Sequence, residues 1–320
     1  MAIKNVLLLG GSGFVGGHIA HLLANREGVR VTVPTRHRDH SKHLLTLPSV
    51  DVVEADISDA DTLVSLMCGQ DVVINLVGIL HGDSEMPYGK KFAQAHVELP
   101  KKIVAAMKQA GVKRLLHMSA LRADSKGPSE YQRSKGDGEA IVLAAKNDLD
   151  VTVFRPSVIF GLGDSFLTTF AKILKLAPVF PVGFPDARFQ PVYVEDVARA
   201  FIDSIERSDT FGQAYDLCGP QIYSLRELIQ YTGKLIGKPR SLIKLSEGWA
   251  YLQAGLLWLA PKPMMSPDNL RSMQVDNVFA TGDQAPAGWN PTSLEAIAPT
   301  YLAVGSPKEK FNAMRAHAGR

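Results

Sequence analysis

The sequence predicts an α/β protein built on a doubly wound parallel sheet, with a smaller, mostly helical C-terminal region covering the crevice at one end of that sheet. Three observations carry the prediction. Short apolar runs alternate with amphipathic stretches of helical period through the first half, the first run empties into a cluster of glycines, and the rhythm breaks near residue 156. The expected strands are 3–9, 29–34, 50–54, 71–76, 113–118 and 151–155, rich in Val, Leu and Ile as strands buried on both faces must be. Helices are expected between them near 14–25, 59–68, 91–110 and 129–147. Their punctuation agrees: Ser58 and Asp59 precede the second, Gly111 stops the third, and Pro128 falls in the first turn of the fourth. Beyond residue 156, Pro and Gly crowd into 177–191, and helices near 195–206, 224–236, 246–260 and 293–303 are joined by irregular stretches. The expected division is 1–160, carrying the sheet, and 161–320, interleaved with it.

A chain of 320 residues with 46% hydrophobic and 21% charged side chains can bury a full core. The formal charge of +3, with no basic stripe interleaved with aromatics, gives no footprint for nucleic acid. Cys68 and Cys218 each sit in an apolar stretch and read as buried thiols of a reducing compartment. Glycines interrupt the run Val6–Leu9 before it could act as a signal core, and no small-residue cleavage pattern follows, so a cytoplasmic location is expected. The histidines share no ligand spacing with carboxylates or cysteines, and no metal is expected. Residues 307–320 carry Lys308, Lys310, Arg315 and Arg320 against Glu309 and read as a frayed basic tail.

Between the first strand and the first helix runs Gly10-Gly11-Ser12-Gly13-Phe14-Val15-Gly16. Lacking side chains, Gly10, Gly13 and Gly16 let the backbone turn tightly and approach a pyrophosphate, while the helix start offers unpaired N–H groups and a positive dipole end. In a strand-turn-helix context this spacing predicts a bound dinucleotide. The second strand ends in Pro34-Thr35-Arg36-His37-Arg38, where an acid would hold a free ribose 2′-hydroxyl. A guanidinium at Arg36 suits a 2′-phosphate instead, which predicts NADP(H) in preference to NAD(H). The plainer alternative leaves Arg36 and Arg38 as solvated loop charges.

Taken in order, the glycine turn, Asp56-Ile57, Asn75-Leu76-Val77-Gly78, Ser119, Tyr131-x-x-x-Lys135 and Arg155-Pro156-Ser157-Val158 resemble the short-chain dehydrogenase/reductase superfamily, in its extended and atypical branches, over roughly residues 3–200. The resemblance implies a Rossmann sheet in which Gly10, Ser12, Gly13, Phe14, Val15 and Gly16 hold the phosphates. It also implies that Asp56 and Ile57 border the adenine, Val77 and Gly78 line the adenosine ribose, Pro156 and Val158 face the nicotinamide, and Ser119 belongs to the cofactor site. Taken alone, Asp56 is equally a helix cap and Pro156 a strand end. Tyr131 and Lys135 share one helix face, where a cation favours the phenolate and draws a phenol pKa of ~10 toward neutrality. The resemblance implies Tyr131 as acid/base, with Lys135 tuning it and binding the nicotinamide ribose.

Two departures bear on turnover. Leu121 stands where many extended members place the serine that polarises the substrate, and His96 where relatives often carry an Asn that supports the lysine. The segments 155–167, 191–197 and Val97-x-x-Pro100 are similar to one group of the superfamily, the nucleotide-binding accessory subunits of respiratory complex I and their bacterial relatives, neighbours of which are linked to ubiquinone biosynthesis. The implied function is a cofactor-binding accessory or assembly factor of a respiratory complex or of quinone metabolism. The alternative is an active NAD(P)-dependent oxidoreductase or epimerase using Tyr131 and Lys135 on a carbonyl or alcohol. Residues 248–261 contain no charge and place Trp249, Tyr251 and Trp258 among leucines. The helix there is ~18 Å long and too short to span a ~30 Å hydrocarbon core. It reads either as a buried helix closing the second half, or as a surface for a membrane-associated complex or the membrane itself, peripheral at the inner face.

Overall fold

The computed structural model describes residues 3–259, 265–306, 311, 314 and 315. The rest of the expected basic tail, and the last two positions of 248–261, lie outside the described residues.

In chain order the elements begin with β1 (Asn5–Leu9), α1 (Phe14–Ala24), β2 (Arg30–Thr35), β3 (Val50–Glu54), α2 (Ala60–Met67) and β4 (Val72–Asn75). They continue with α3 (Lys90–Phe92), a π-helical segment (Ala93–Glu98), α4 (Leu99–Ala110), β5 (Arg114–Met118), α5 (Glu130–Ala144) and β6 (Asp150–Pro156). Next come β7 (Ile159–Phe160), α6 (Phe166–Leu176), β8 (Val179–Val182), β9 (Arg188–Phe189), β10 (Val192–Tyr193), α7 (Val194–Ser204) and β11 (Gln213–Leu217). The chain closes with β12 (Tyr223–Ser224), α8 (Leu225–Leu235), β13 (Ser241–Lys244), α9 (Glu247–Trp258), α10 (Pro267–Ser272) and α11 (Leu294–Leu302).

The described residues fall into two compact units. The first draws on Met1–Pro156, Glu195–Leu217 and Gly282–Ala287. Its seven-stranded sheet has the order β11-β6-β5-β4-β1-β2-β3, with every pairing parallel. Val6, Leu7, Leu8 and Leu9 of central β1 are fully buried, as a strand covered on both faces requires. β1 pairs with β2 on one side and β4 on the other, so strand order reverses there and a crevice opens beyond the carboxyl ends of those strands.

All six expected strands and all four early helices form, and the sheet gains β11 as an edge strand from the second half of the sequence. Its residues, Gln213-Ala214-Tyr215-Asp216-Leu217, are too mixed to read as a buried strand, because an edge strand has one flank open to polar partners. Two local readings are corrected. Pro128 stands before the N-cap of α5, because Ser129 takes that place in a capping box with Gln132. Cys68 is exposed while Cys218 is buried, since Cys68 caps the end of α2 and turns away from its apolar face.

The second unit draws on Ser157–Val194, Cys218–Thr281 and Gly288–Arg320. Its core gathers Leu167, Phe170 and Leu174 of α6 with Leu225, Leu228 and Ile229 of α8 and Leu294 and Ala298 of α11. α6 escaped the sequence reading although Leu167, Phe170, Ala171 and Leu174 follow helical spacing, because the glycines and prolines just beyond it masked the period. α9 buries only Ala250 and Ala254 on one face, against Leu270. Its other face leaves Trp249, Leu252 and Leu256 exposed at 66%, 53% and 64%, which corrects the reading of 248–261 as a wholly buried helix. Absence of charge could not show which face was small; two alanines bury too little area to enclose the helix.

Candidate dinucleotide site

The site begins where β1 meets α1. Gly10 adopts φ +81°, and a Cβ there would lie 3.2 Å from the Val77 amide nitrogen, so the turn lies directly on the end of β4. Gly13 donates its N–H to the Gly10 carbonyl at 3.0 Å and serves as N-cap of α1 with extended backbone and no capping side chain. Phe14, Val15 and Gly16 therefore supply first-turn N–H groups that no helical carbonyl can accept. Gly16 is obligatory for packing: a Cβ there would sit 2.3 Å from the Gly10 carbonyl oxygen and 2.6 Å from the Gly11 Cα. Ser12 is half-buried in the same turn and Gly13 is exposed, an open cradle of amides with no acid in the first turn of α1 to compete for it.

At the end of β2 the exposed Arg36 stands close enough to Asp56 to act on it electrostatically. Hydrogen bonds from Ser58, its amide donating to Oδ1 at 2.9 Å, and then the Arg36 charge hold the Asp56 carboxyl below the ordinary carboxylate range. Asp59, not Asp56, caps α2 by accepting from the Thr62 amide, so Asp56 and half-buried Ile57 stay at the strand end beside Arg36.

The end of β4 is organised by Asn75, part of the ordered set read from sequence, together with His117, which was not singled out. Asn75 accepts the Val77 N–H at 3.1 Å and donates to His117 Nδ1 at 3.0 Å, its register partner on β5. A lone His inside a strand carries no sequence signal; only the register of β4 and β5 assigns it. Gly78 comes next, exposed, and a Cβ there would lie 3.1 Å from Lys135 Nζ and 3.5 Å from His96 Nε2.

α5 brings Tyr131 and Lys135 to this place. Lys135 is 4% exposed, donates to the Met118 carbonyl at 3.1 Å, and is pulled down to about 8 by burial, against the opposing pull of Glu139. Tyr131 is not drawn toward neutrality: burial pushes its phenol up to about 12. Desolvation thus moves the phenol in the direction opposite to the one expected from the shared helix face. Burial, followed by the Lys135 charge and the coupling to the neighbouring His117 ring, holds His96 down to about 2, and burial followed by Lys135 holds His117 down to about 3, so both rings are neutral at any physiological pH. Ser119 is 3% exposed and its hydroxyl has no hydrogen-bond partner among the described residues. A buried unsatisfied hydroxyl costs free energy unless something completes it, so this atom fits a site built for a polar ligand. Leu121 is buried, its N–H donating to the Pro156 carbonyl.

Another residue missed from sequence is Glu130, 3% exposed, which accepts the amides of Glu85 and Gly89 and so anchors the 84–89 loop to α5 beside Tyr131. The Ser129-x-x-Gln132 capping pattern was the available signal for the helix start that places it. Pro156 ends β6 in the first unit, whereas Val158 belongs to the second, where its N–H donates to Asn277 Oδ1 at 3.3 Å. Among the described residues no group of three or more His, Cys, Asp or Glu side chains could hold a metal, and no helix is long and apolar enough to cross a membrane.

A parallel sheet with a glycine turn at its switch point defines the class, a Rossmann-type protein whose site is shaped for a dinucleotide. Residues 6–218 match the model of the NAD dependent epimerase/dehydratase family, and the chain belongs to that family. It is similar to NADH dehydrogenase (ubiquinone) 1 alpha subcomplex subunit 9 of Rattus norvegicus mitochondria, 29% identical over 300 residues that cover 90% of this chain and 77% of the relative. It is also similar to the 40 kDa subunit of mitochondrial NADH-ubiquinone oxidoreductase of Neurospora crassa, 26% identical over 85% of this chain and 71% of that one. The fold matches UDP-glucuronic acid 4-epimerase of Bacillus cereus, solved with UDP-glucuronic acid and NAD, at a TM-score of 0.64 and 17% identity over 86% of this chain and 95% of the other.

Proposed function

We propose that the chain holds NADP(H) in its first unit and serves as a cofactor-binding accessory or assembly factor of a respiratory complex or of quinone metabolism. The observation that carries the binding is the turn at Gly10–Gly16, where the backbone leaves no room for a Cβ at Gly16 and α1 starts with no capping side chain and no acid in its first turn. Gly10, Ser12, Gly13, Phe14, Val15 and Gly16 would hold the pyrophosphate, and Val77 and Gly78 the adenosine ribose. Arg36 would meet the 2′-phosphate, with Asp56 and Ile57 at the adenine. Lys135, Tyr131, Ser119 and Pro156 would receive the nicotinamide half.

The accessory role is supported by the likeness to complex I subunits and by the exposed apolar face of α9. An exposed stripe of Trp and Leu on a helix whose residues 248–258 carry no charge suits the apolar surface of a membrane-bound protein complex, approached from the cytoplasmic side. Titration calorimetry should find NADP(H) bound at least about tenfold more tightly than NAD(H), with Arg36→Ala removing most of that difference. Equal affinities in the unmodified protein would overturn the assignment of Arg36.

One observation favours a second reading, oxidoreductase or epimerase activity: the unpartnered Ser119 hydroxyl could polarise a carbonyl in place of the serine that Leu121 replaces. When bound, the dinucleotide supplies or accepts a hydride at its nicotinamide. Tyr131, protonated across the physiological range, could then donate a proton to the carbonyl oxygen. Under this reading Tyr131→Phe abolishes turnover and spares NADP(H) affinity; an unmodified protein that changes no cofactor absorbance with quinone precursors or nucleotide sugars excludes it for those substrates.

A further inference from the structure

The π-helical turn ahead of α4 has a cause in the sequence. Pro100 has no N–H, so the carbonyl of His96, four residues earlier, cannot receive its α-helical hydrogen bond. The chain widens instead, and the Leu99 amide donates five residues back to the Gln94 carbonyl. Into the space beside the His96 carbonyl comes Gly138 of α5; a Cβ there would lie 1.9 Å from that oxygen, so only glycine permits the approach. The two helices thereby meet at the turn that carries His96, one helical turn along α5 from Ser134 and Lys135.

The His96 side chain uses this proximity. Its Nε2 accepts the Ile79 N–H at 3.0 Å, which fixes that nitrogen as unprotonated, and Nδ1–H then donates to Ser134 Oγ at 2.9 Å. The Ser134 hydroxyl in turn donates to the Tyr131 carbonyl at 3.0 Å. The ring stands edge-on to Tyr131, with centroids 5.7 Å apart, and packs against Phe92 at 5.6 Å. It is 2% exposed and has one tautomer available to it. Gly78, immediately before Ile79, borders both this ring and the Lys135 ammonium, 3.5 Å and 3.1 Å from where its Cβ would be.

We propose that His96 is a positioning residue: by tying the Ile79 amide to Ser134 it fixes the distance between the Gly78 turn and Lys135, and so the width of the cofactor site at that point. The inference rests on the reading of this site as a dinucleotide cradle. It assigns His96 a role through hydrogen-bond geometry, with no proton passing through the ring.

The test is NADP(H) affinity by calorimetry in His96→Ala, His96→Gln and Lys135→Met proteins and in the combination of His96→Ala with Lys135→Met, with circular dichroism to confirm folding. His96→Ala leaves the Ile79 amide without its acceptor and should weaken binding about tenfold, whereas Gln restores that acceptor at the Nε2 position, though not the bond to Ser134, and should recover part of the loss. In the Lys135→Met background the His96→Ala loss should largely disappear. Equal losses for Ala and Gln, or an undiminished loss in the Lys135→Met background, would overturn the role. Should His96→Ala fail to fold, Ser134→Ala cuts the same tie from its other end, and an unchanged affinity there counts against the proposal. Failure of the unmodified protein to bind NADP(H) would instead dispose of the cradle itself.

Discussion

Around Gly78 the first unit takes Lys135, His96, His117 and Ser119 out of water, while along α9 the second unit leaves Trp249, Leu252 and Leu256 in it. Both regions run against the ordinary partition of side chains, in opposite directions, and for different physical reasons. Burial of the polar set is costly, and it is offset by fixed partners: the Met118 carbonyl for Lys135, the Ile79 amide and Ser134 for His96, Asn75 for His117. The α9 face has no such compensation within the second unit; it is an apolar surface that gains free energy only when something else covers it. Departures of this kind concentrate where a fold is shaped for a ligand or a partner. The polar set is complete except at Ser119, and the apolar face is open along the helix.

The comparison can be broken at several points. The largest effect should come from Gly16→Ala, where the added methyl meets the Gly10 carbonyl and the Gly11 Cα. Overpacking against backbone should destabilise by on the order of 3 kcal/mol in urea unfolding and abolish NADP(H) binding, despite the better helix propensity of Ala. Gly17→Ala is the control: its Cβ would meet only the His43 ring at 3.4 Å, and stability should hold or rise by up to about 1 kcal/mol.

Next in size is Lys135→Met. Because burial lowers the folded pKa from 10.5 to about 8, the folded protein binds fewer protons than the unfolded chain between those values, and stability rises with pH through that window. Met carries no such penalty. The stability advantage of Lys135→Met over the unmodified protein should therefore be largest below pH 8 and shrink by roughly 3 kcal/mol by pH 10.5, as followed by thermal unfolding. A gap that stays constant across the window would mean that the ammonium is not desolvated as the structure has it.

The smallest effect on stability should come from the apolar face. Trp249→Ser combined with Leu256→Ser removes exposed side chains and should change unfolding free energy by no more than about 0.5 kcal/mol, while abolishing retention on membranes of the source cells after gentle lysis. A large loss of stability would show that the stripe packs internally; unchanged retention would show that docking occurs elsewhere. Protein-free vesicles separate lipid from protein as the covering partner.

The glycine turn was legible because backbone sterics at Gly10 and Gly16 are enforced within a few residues, and the strands because their apolar runs are continuous. Arg36 was legible as a cation at the end of β2, and its neighbour Asp56 as an acid at the end of β3. His117 and Glu130 were not, since each acts on a segment roughly forty residues away that the sequence does not mark, and β11 joined the sheet across a still longer separation. The direction of the burial effect on Tyr131 was not legible for a related reason: helix spacing fixes which groups share a face, whereas solvent exposure depends on everything that packs over them.

Local rules of sequence thus determined the doubly wound sheet, the glycine turn and the helix face bearing Tyr131 and Lys135, because hydrophobic period and glycine geometry act over a turn or a strand. Tertiary structure alone decided which polar groups lost their water and which nonpolar ones kept it. Desolvation and hydrogen bonding are set by neighbours distant in the chain, as with the Met118 carbonyl at Lys135 and the small alanine face of α9.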